Sequence, residues 1–238
     1  MNKPEVSRPV TVTGTHSTGK TTFMARLADE LRRDRIEVAT VGDLGPQAHQ
    51  LGFPILYNHT WASTLWIITR GISNELAAWQ HADVVLIDRG IPDALGYYDA
   101  ALEYRGHQPD SNYVHLEQVV AAHRHHYDLV LRTILDPRIP LGIDKPRDTD
   151  QEFRTLADAH VAKVLHRLNI DHEVLTFDAH DRALVETRAF IEGRLNEPAL
   201  EAPQVGSLPC HRARTSSAWP SDPARWRSTK RNRSLALS

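Results

Sequence analysis

The stretch Gly14-Thr-His-Ser-Thr-Gly-Lys-Thr21 follows the run Pro9-Val-Thr-Val-Thr13. It is a complete G-x-x-x-x-G-K-[ST] loop between a predicted strand and a predicted helix. Gly14 and Gly19 permit the positive φ values and the close backbone approach that a phosphate cradle needs. The N–H groups of the loop and of the following helix present partial positive charge to an anion. The motif therefore predicts a phosphate-binding loop near the start of the chain.

The end of this loop carries two side chains with defined chemistry. Lys20 can reach the β- and γ-phosphates of a nucleotide, and the Thr21 hydroxyl can ligate Mg²⁺. We therefore expect the nucleotide-binding residues to be Gly14, Thr15, His16, Ser17, Thr18, Gly19, Lys20, Thr21 and Thr22.

Composition places the chain among ordinary globular proteins. Its 238 residues suit one α/β domain with a tail, and 41% are hydrophobic and 24% charged. The single cysteine, Cys210, excludes an intramolecular disulfide and a multi-cysteine metal site. The N-terminus lacks the apolar core of a signal peptide, and no apolar run approaches the ~20 residues that span a bilayer. These observations predict a cytoplasmic protein without a membrane partner.

Charge is distributed unevenly along the chain. Residues 196–238 hold seven Lys/Arg and three Asp/Glu, and they are rich in Pro, Ser and Arg. This composition predicts a disordered basic tail, in preference to a nucleic-acid or membrane contact. The predicted domain boundary follows Leu195, so that residues 1–195 form a P-loop domain with an acidic net charge.

Strand and helix patterns alternate through this domain, which predicts a parallel sheet with right-handed crossovers. The run Asp83-Val-Val-Leu-Ile-Asp88 is almost wholly apolar and suits a central strand that is buried on both faces. Further strands are predicted at Ile36–Val41, Tyr127–Leu135 and Glu173–Phe177. Helices are predicted at Thr21–Asp34, 60–82, 93–105, 112–126, Asp150–Asn169 and Arg182–Leu195.

Asp88-Arg89-Gly90 follows the buried strand at its carboxyl end, where ligands bind in open parallel sheets. Asp88 can hold Mg²⁺ directly or through water, and Arg89 can clamp phosphate oxygens with its planar fork. Asp43 follows the second strand, where its carboxylate can accept a proton from an attacking hydroxyl or form a turn before Gly45. Both interpretations of Asp43 stay open at this point.

Other polar and aromatic groups admit two interpretations each. Charged residues after the fourth strand predict an arginine-bearing loop that closes over phosphates, or else a solvated loop; they are Arg138, Asp144, Lys145, Arg147 and Arg154. Aromatic residues after the second strand predict core packing, with stacking on a flat substrate as the alternative; they are Phe53, Tyr57, Trp61, Trp66 and Trp79. His123, His125 and His126 predict a solvated helix end in preference to a metal site.

The phosphate loop, the run Asp88-Arg-Gly-Ile-Pro-Asp93 and the loop at 144–154 together resemble the P-loop kinase-like ATPases that include nicotinamide riboside kinase domains. More distantly, the chain resembles thymidylate kinase and the deoxynucleoside kinases, although Gly90 stands where thymidylate kinases carry an aromatic residue. The resemblance covers residues 8–195. It implies a three-layer α/β sandwich with a five-stranded parallel sheet in the order 2-3-1-4-5.

The resemblance also implies ATP and Mg²⁺ as cofactors, bound through Lys20, Thr21 and Asp88, with Arg89 on the phosphates. Asp43 matches a position where such kinases usually carry Glu. With Arg147 from the arginine loop, these residues form the expected catalytic set. The implied activity is transfer of the γ-phosphoryl group to a small acceptor, with a nucleoside or nucleotide favoured. An NTP-hydrolysing regulatory protein and an antibiotic-modifying phosphotransferase remain alternatives, and a homodimeric state stays open.

Overall fold

The structure, a computed structural model, describes the backbone of residues 8–13 together with residues 19–136 and 150–196. The described residues belong to one structural unit within Met1–Ala199. The loop residues Gly14–Thr18, the segment that contains Arg147, and residues 197–238 lie outside the described part. The predicted domain boundary and tail therefore stay predictions.

A five-stranded parallel sheet forms the centre of the domain, with the strand order β2-β3-β1-β4-β5. The strands are β1 (Arg8–Thr13), β2 (Val38–Val41), β3 (Val84–Asp88), β4 (Leu129–Thr133) and β5 (Glu173–Leu175). β1 pairs with β3 on one side and β4 on the other, and its Val12 is in register with Asp88. This register places the end of β3 beside the end of β1, which directly precedes the phosphate loop in the sequence.

Seven helices of the described residues connect and cover the strands. They are α1 (Lys20–Arg33), α2 (Gly45–Gln50), α3 (Trp61–Trp79), α4 (Ile91–Tyr104), α5 (Tyr113–His123), α6 (Gln151–Arg167) and α7 (His180–Asn196). Single 3-10 turns occupy Leu56–Asn58, Arg124–His126 and Phe177–Ala179. The alternation of strands and helices confirms the predicted α/β fold. None of these helices combines the length and the apolar character that crossing a bilayer requires.

Two apolar layers sandwich the sheet. β3 contributes to both, because alternate side chains of a strand point to opposite faces. Val84 and Leu86 join a cluster with α1 and α7, whereas Val85 and Ile87 lie in the cluster on the opposite face with Trp79. All four side chains are fully buried, which confirms the prediction of a central strand covered on both faces.

The closest helix contact is the crossing of α4 and α6 at Gly96. A Cβ atom at Gly96 would lie 2.8 Å from the Cα of Val161 and 2.9 Å from its backbone nitrogen. Backbone atoms cannot move aside as a flexible side chain can. Glycine is therefore required there for close packing, and the approach of α6 fixes the direction of α4, which begins at the candidate site.

We expect Gly96→Ala to lower the free energy of unfolding by about 1–3 kcal/mol, because the added methyl group overpacks the α4–α6 contact. Gly193→Ala on the exposed face of α7 is the matched control, since nothing lies within 4 Å of its new Cβ. The free energy of unfolding of that control should rise by roughly 0.5–1 kcal/mol, because alanine has a higher helix propensity than glycine. Urea denaturation of both variants measures the difference, and equal effects would show that α4 and α6 can separate at little cost.

Candidate functional site

The candidate site lies at the carboxyl edge of the sheet, where α1 begins beside the end of β3. Gly19 caps α1 with φ 83°, a left-handed conformation that favours glycine. A Cβ there would also lie only 2.8 Å from Cε1 of His180, so both the backbone and the space require glycine. Because Gly19 has no side chain to cap α1, the first N–H groups of the helix are suited to bind an anion.

Lys20 is the first residue of α1, and its side chain is only 5% exposed. Burial is the main cause that lowers the pKa of Lys20 from 10.5 to about 8, and the positive charge of Arg89 lowers it further. Nearby carboxylates oppose this shift without cancelling it. Lys20 therefore stays mostly charged at neutral pH, although less firmly than an exposed lysine, and an anionic ligand would favour the charged form further.

Asp88 and Thr21 meet at the end of β3. The Thr21 hydroxyl donates a hydrogen bond to Oδ2 of Asp88 at 3.2 Å. The other oxygen, Oδ1, is buried and has no hydrogen-bond partner among the described residues. A buried carboxylate oxygen is expected to have a partner, and the orphan atom points to a missing ligand. A hydroxyl and a carboxylate are oxygen donors of the kind that Mg²⁺ prefers, so these two residues fit the predicted metal.

Arg89 follows Asp88 with φ 70°, which is uncommon for a residue that has a side chain. Its Nε lies 3.2 Å from Oδ2 of Asp43, and its guanidinium lies 4.9 Å from the centre of the Tyr97 ring. Burial alone would lower the pKa of Arg89, but surrounding carboxylates, Asp43 foremost, raise it on balance. The cation therefore stays charged although its side chain is only 17% exposed.

Asp43 makes the predicted turn and an ion pair that its sequence position did not suggest. Oδ1 accepts the backbone N–H of Gly45 at 2.9 Å, and Oδ2 faces Arg89. The role of Asp43 as a proton acceptor stays a prediction. The turn fixes the carboxylate in the direction of the β3 end, and there it offsets the charge of Arg89.

Tyr97 and His59 border the arginine, and the sequence did not single them out. Their rings lie 6.1 Å apart, and both side chains are buried. Burial first, and then the charge of Arg89, lower the pKa of His59 from 6.5 to about 4, so His59 is neutral at neutral pH. Asp93, in the first turn of α4, is also buried. The four-residue spacing from Asp93 to Tyr97 puts both on one helix face, a signal visible in the sequence.

Arg132 adds a third cation, which the sequence did not indicate. It lies on β4 and is 9% exposed, and its Nη2 donates to Oδ2 of Asp158 on α6 at 2.9 Å. Burial raises the pKa of Asp158, and the charges of Arg132 and Lys20 partly offset that rise. The interaction with Lys20 indicates that this ion pair borders the phosphate loop.

Other predicted site residues are placed as follows. Thr22 is exposed on α1, and Arg154, at the start of α6, is buried and donates to Gln151. Gly14–Thr18 and Arg147 lie outside the described residues, so their roles stay predictions.

The prediction of a solvated helix end is wrong for His123, whereas His125 and His126 are exposed. His123 is buried because its Nε2 pairs with Oε2 of Glu75 at 2.6 Å. Within the described ranges, no group of three or more His, Cys, Asp or Glu side chains is arranged to hold a metal.

Three aromatic side chains from the predicted set pack against each other or the core. Phe53 stacks on Trp66 with ring centres 5.3 Å apart, and Trp61 packs against the apolar cluster that includes buried residues of α4 and α6. A groove of about 580 Å³ lies between Trp61 and Arg105. Neither Asp88 nor Arg89 lines it, so it is separate from the phosphate side of the site.

Comparison with solved structures gives the same fold. A thymidylate kinase from Candida albicans superposes with a TM-score of 0.53 at 12% identity, covering 81% of this chain and 94% of that one. A NadR protein solved in complex with NR gives a TM-score of 0.57 at 17% identity, covering 78% of this chain and 52% of that one. This chain thus spans about half the length of that NadR chain. A sequence search of curated proteins finds no match.

A family model described as an AAA domain matches residues 9–182, from β1 into the start of α7. This match covers the phosphate loop, Asp43 and the Asp88-Arg89 turn. Together with the two structural neighbours it confirms the resemblance that the sequence motifs predicted. The chain therefore belongs to the AAA domain family, with a P-loop kinase-like α/β fold.

Proposed function

We propose that this protein is a phosphotransferase that uses ATP and Mg²⁺ to phosphorylate a small acceptor, with a nucleoside or nucleotide as the favoured class. The observation that carries the proposal is the arrangement at the end of β3. Asp88 turns towards Thr21 and the start of α1, while Arg89 turns towards Asp43. In this proposal Asp88 acts on the nucleotide side of the transferred phosphoryl group, and Arg89 with Asp43 acts on the acceptor side.

On the donor side, the N–H groups at the start of α1 and the Lys20 ammonium bind the phosphates. Thr21 and Asp88 would hold Mg²⁺, which supplies neutralisation of charge on the phosphate oxygens. The buried Oδ1 of Asp88 is the atom most in need of such a partner. Burial of Lys20 strengthens its attraction for the phosphates, because charges interact more strongly away from water.

On the acceptor side, the acceptor oxygen attacks the γ-phosphorus while the bond to the β–γ bridging oxygen breaks and ADP leaves with the electron pair. When the acceptor is a hydroxyl, its proton passes to a carboxylate, and Asp43 is the candidate base on this side. Arg89 lies between the two sides and orients and neutralises the transferred group. Its contact with Asp43 and the turn to Gly45 together fix the direction of the Asp43 carboxylate.

The acceptor class rests on the structural neighbours, which are a thymidylate kinase and a NadR protein solved in complex with NR. We therefore favour a nucleoside or nucleotide over an aliphatic acceptor.

The direct test is ATP consumption measured against a panel of nucleosides, nucleotides, nicotinamide riboside and aminoglycosides. Stimulation by one compound, with a phosphorylated product detected by mass spectrometry, is the expected result. Turnover that no acceptor increases would instead identify an NTP-hydrolysing protein. Stimulation by an aminoglycoside alone would overturn the proposed acceptor class.

Lys20→Met should abolish nucleotide turnover and yet raise the stability of the ligand-free protein at pH 7. Between pH 8 and 10.5 the unfolded chain keeps a proton on Lys20 that the folded protein has released, so wild-type stability rises through this window. The variant should lack this rise, and below about pH 8 its free energy of unfolding should exceed that of the wild type by up to ~3 kcal/mol. Thermal unfolding from pH 6 to 10.5 measures both effects, with exposed Lys163→Met as the control. Parallel curves for wild type and variant would contradict the buried, strained state of Lys20.

Arg89→Lys keeps the charge but loses the planar fork, so turnover should fall by roughly 10²-fold or more. Arg26→Lys is the matched control, because the ion pair of Arg26 with Asp181 is exposed and its substitution should leave turnover unchanged.

Asp88→Asn should lower turnover, and added Mg²⁺ should partly restore it. Asp83→Asn, at the opposite end of the same strand, is its control. Steady-state kinetics across a Mg²⁺ titration measure both effects. Near-normal rates in both Arg89→Lys and Asp88→Asn would show that these two residues have a structural role and not a catalytic one.

A further inference from the structure

A buried chain of hydrogen bonds runs beneath the Asp88-Arg89 turn. Glu75 of α3 is 1% exposed and both of its carboxylate oxygens are occupied. Oε2 pairs with Nε2 of His123 at 2.6 Å, and Oε1 accepts the Tyr127 hydroxyl at 3.2 Å. The same Tyr127 oxygen accepts the backbone N–H of Ile91 at 3.0 Å. This series of hydrogen bonds therefore connects the buried Glu75 to the first residue of α4.

Helix α4 needs this contact because its own sequence supplies no cap. Gly90 stands at the N-cap and has no side chain with which to accept a hydrogen bond from the first turn. The N–H of Ile91 would otherwise be one of the orphan donors of a buried helix end. The Tyr127 hydroxyl caps this N–H, which lies at the first helical position and is not the donor that an N-cap side chain would bond, although Tyr127 is 36 positions further along the chain.

The cap can hold only one orientation. Burial first, and then the charge of Glu75, raise the pKa of Tyr127 well above 10, so the hydroxyl keeps its proton and donates it to Glu75. The lone pairs of the oxygen are then left to accept from Ile91. On the far side, the Trp79 ring lies parallel to the His123 ring at 5.9 Å and shields the Glu75–His123 pair. Both ends of this series of hydrogen bonds, at His123 and at Ile91, are therefore fixed.

Arg89 is two residues before Ile91, and its φ of 70° is a conformation that the surroundings must impose. The position of the first turn of α4 determines where the Arg89 backbone must leave β3. We propose that Tyr127, anchored by Glu75, is a positioning residue that holds the guanidinium of Arg89 against Asp43. The kinetic consequence rests on the proposed function, whereas the structural consequence does not.

The test compares variants by the hydrogen exchange of the Arg89 Nε–H group, observed by NMR in ¹⁵N-labelled protein and assigned with Arg89→Lys. Tyr127→Phe removes the hydroxyl and keeps the ring. Glu75→Gln keeps an acceptor for the hydroxyl and is the conservative variant expected to preserve the signal. Tyr113→Phe is the matched control, because its hydroxyl accepts from Arg167 at 2.6 Å, remote from Arg89.

We expect exchange of the Arg89 Nε–H to become about tenfold faster or more in Tyr127→Phe and to stay within about twofold of wild type in the other two variants. ATP turnover should fall in Tyr127→Phe through kcat with little change in the KM for ATP. If Tyr127→Phe does not fold, the double variant Tyr127→Phe/Glu75→Gln removes the hydroxyl without leaving a buried charge unpaired.

The possible results separate the two proposals. Unchanged exchange in folded Tyr127→Phe, or an equal change in Tyr113→Phe, would overturn the positioning role. Faster exchange with unaltered turnover would support the positioning role and would show that Arg89 does not act on the transferred group. Faster exchange with a lower kcat supports both.

Discussion

The pair of Arg89 and Asp43 is the interaction on which the arrangement of the site depends. β3 is fully buried from Val84 to Ile87, and it ends in two charged residues that cannot reach bulk water freely. A cation in that position is tolerated only if carboxylates surround it, because an unpaired buried charge is far more costly than a paired one. Asp43 meets this requirement from the neighbouring strand β2. The turn to Gly45 holds it in place before any ligand arrives.

The same requirement explains why the site favours an anionic ligand. Lys20 and Arg89 are two buried cations whose charges repel each other, and the repulsion contributes to the lowered pKa of Lys20. Nearby carboxylates offset part of this repulsion, but burial still leaves the pKa of Lys20 lowered to about 8. A polyphosphate would add negative charge beside both cations and would favour the charged form of Lys20 further. A divalent cation would in turn balance the added negative charge.

Much of the fold could be predicted from the sequence because its signals are local. The glycine-rich loop, the apolar run of β3 and the alternation of strands with amphipathic helices each lie within a few consecutive residues. The candidate site was less accessible. Asp88, Arg89 and Asp43 could be found because they follow strands directly, whereas His59, Tyr97 and Arg132 join the site through tertiary packing that no short pattern records. Element ends also differed by a few residues; β2, for example, begins at Val38 rather than Ile36.

His123 shows most clearly why local reasoning fails at such positions. The run His123-Arg-His-His126 is polar throughout, and by composition alone it belongs at a solvated helix end. The deciding partner, Glu75, is 48 residues earlier in the chain, on the buried face of α3. Once Glu75 is buried, its charge requires a partner, and His123 and Tyr127 provide it from further along the chain. The burial of one carboxylate thus connects three elements and leaves the Tyr127 hydroxyl placed to accept the first N–H of α4. Sequence patterns record which residues can be buried, but the charge balance among distant residues decides which of them are.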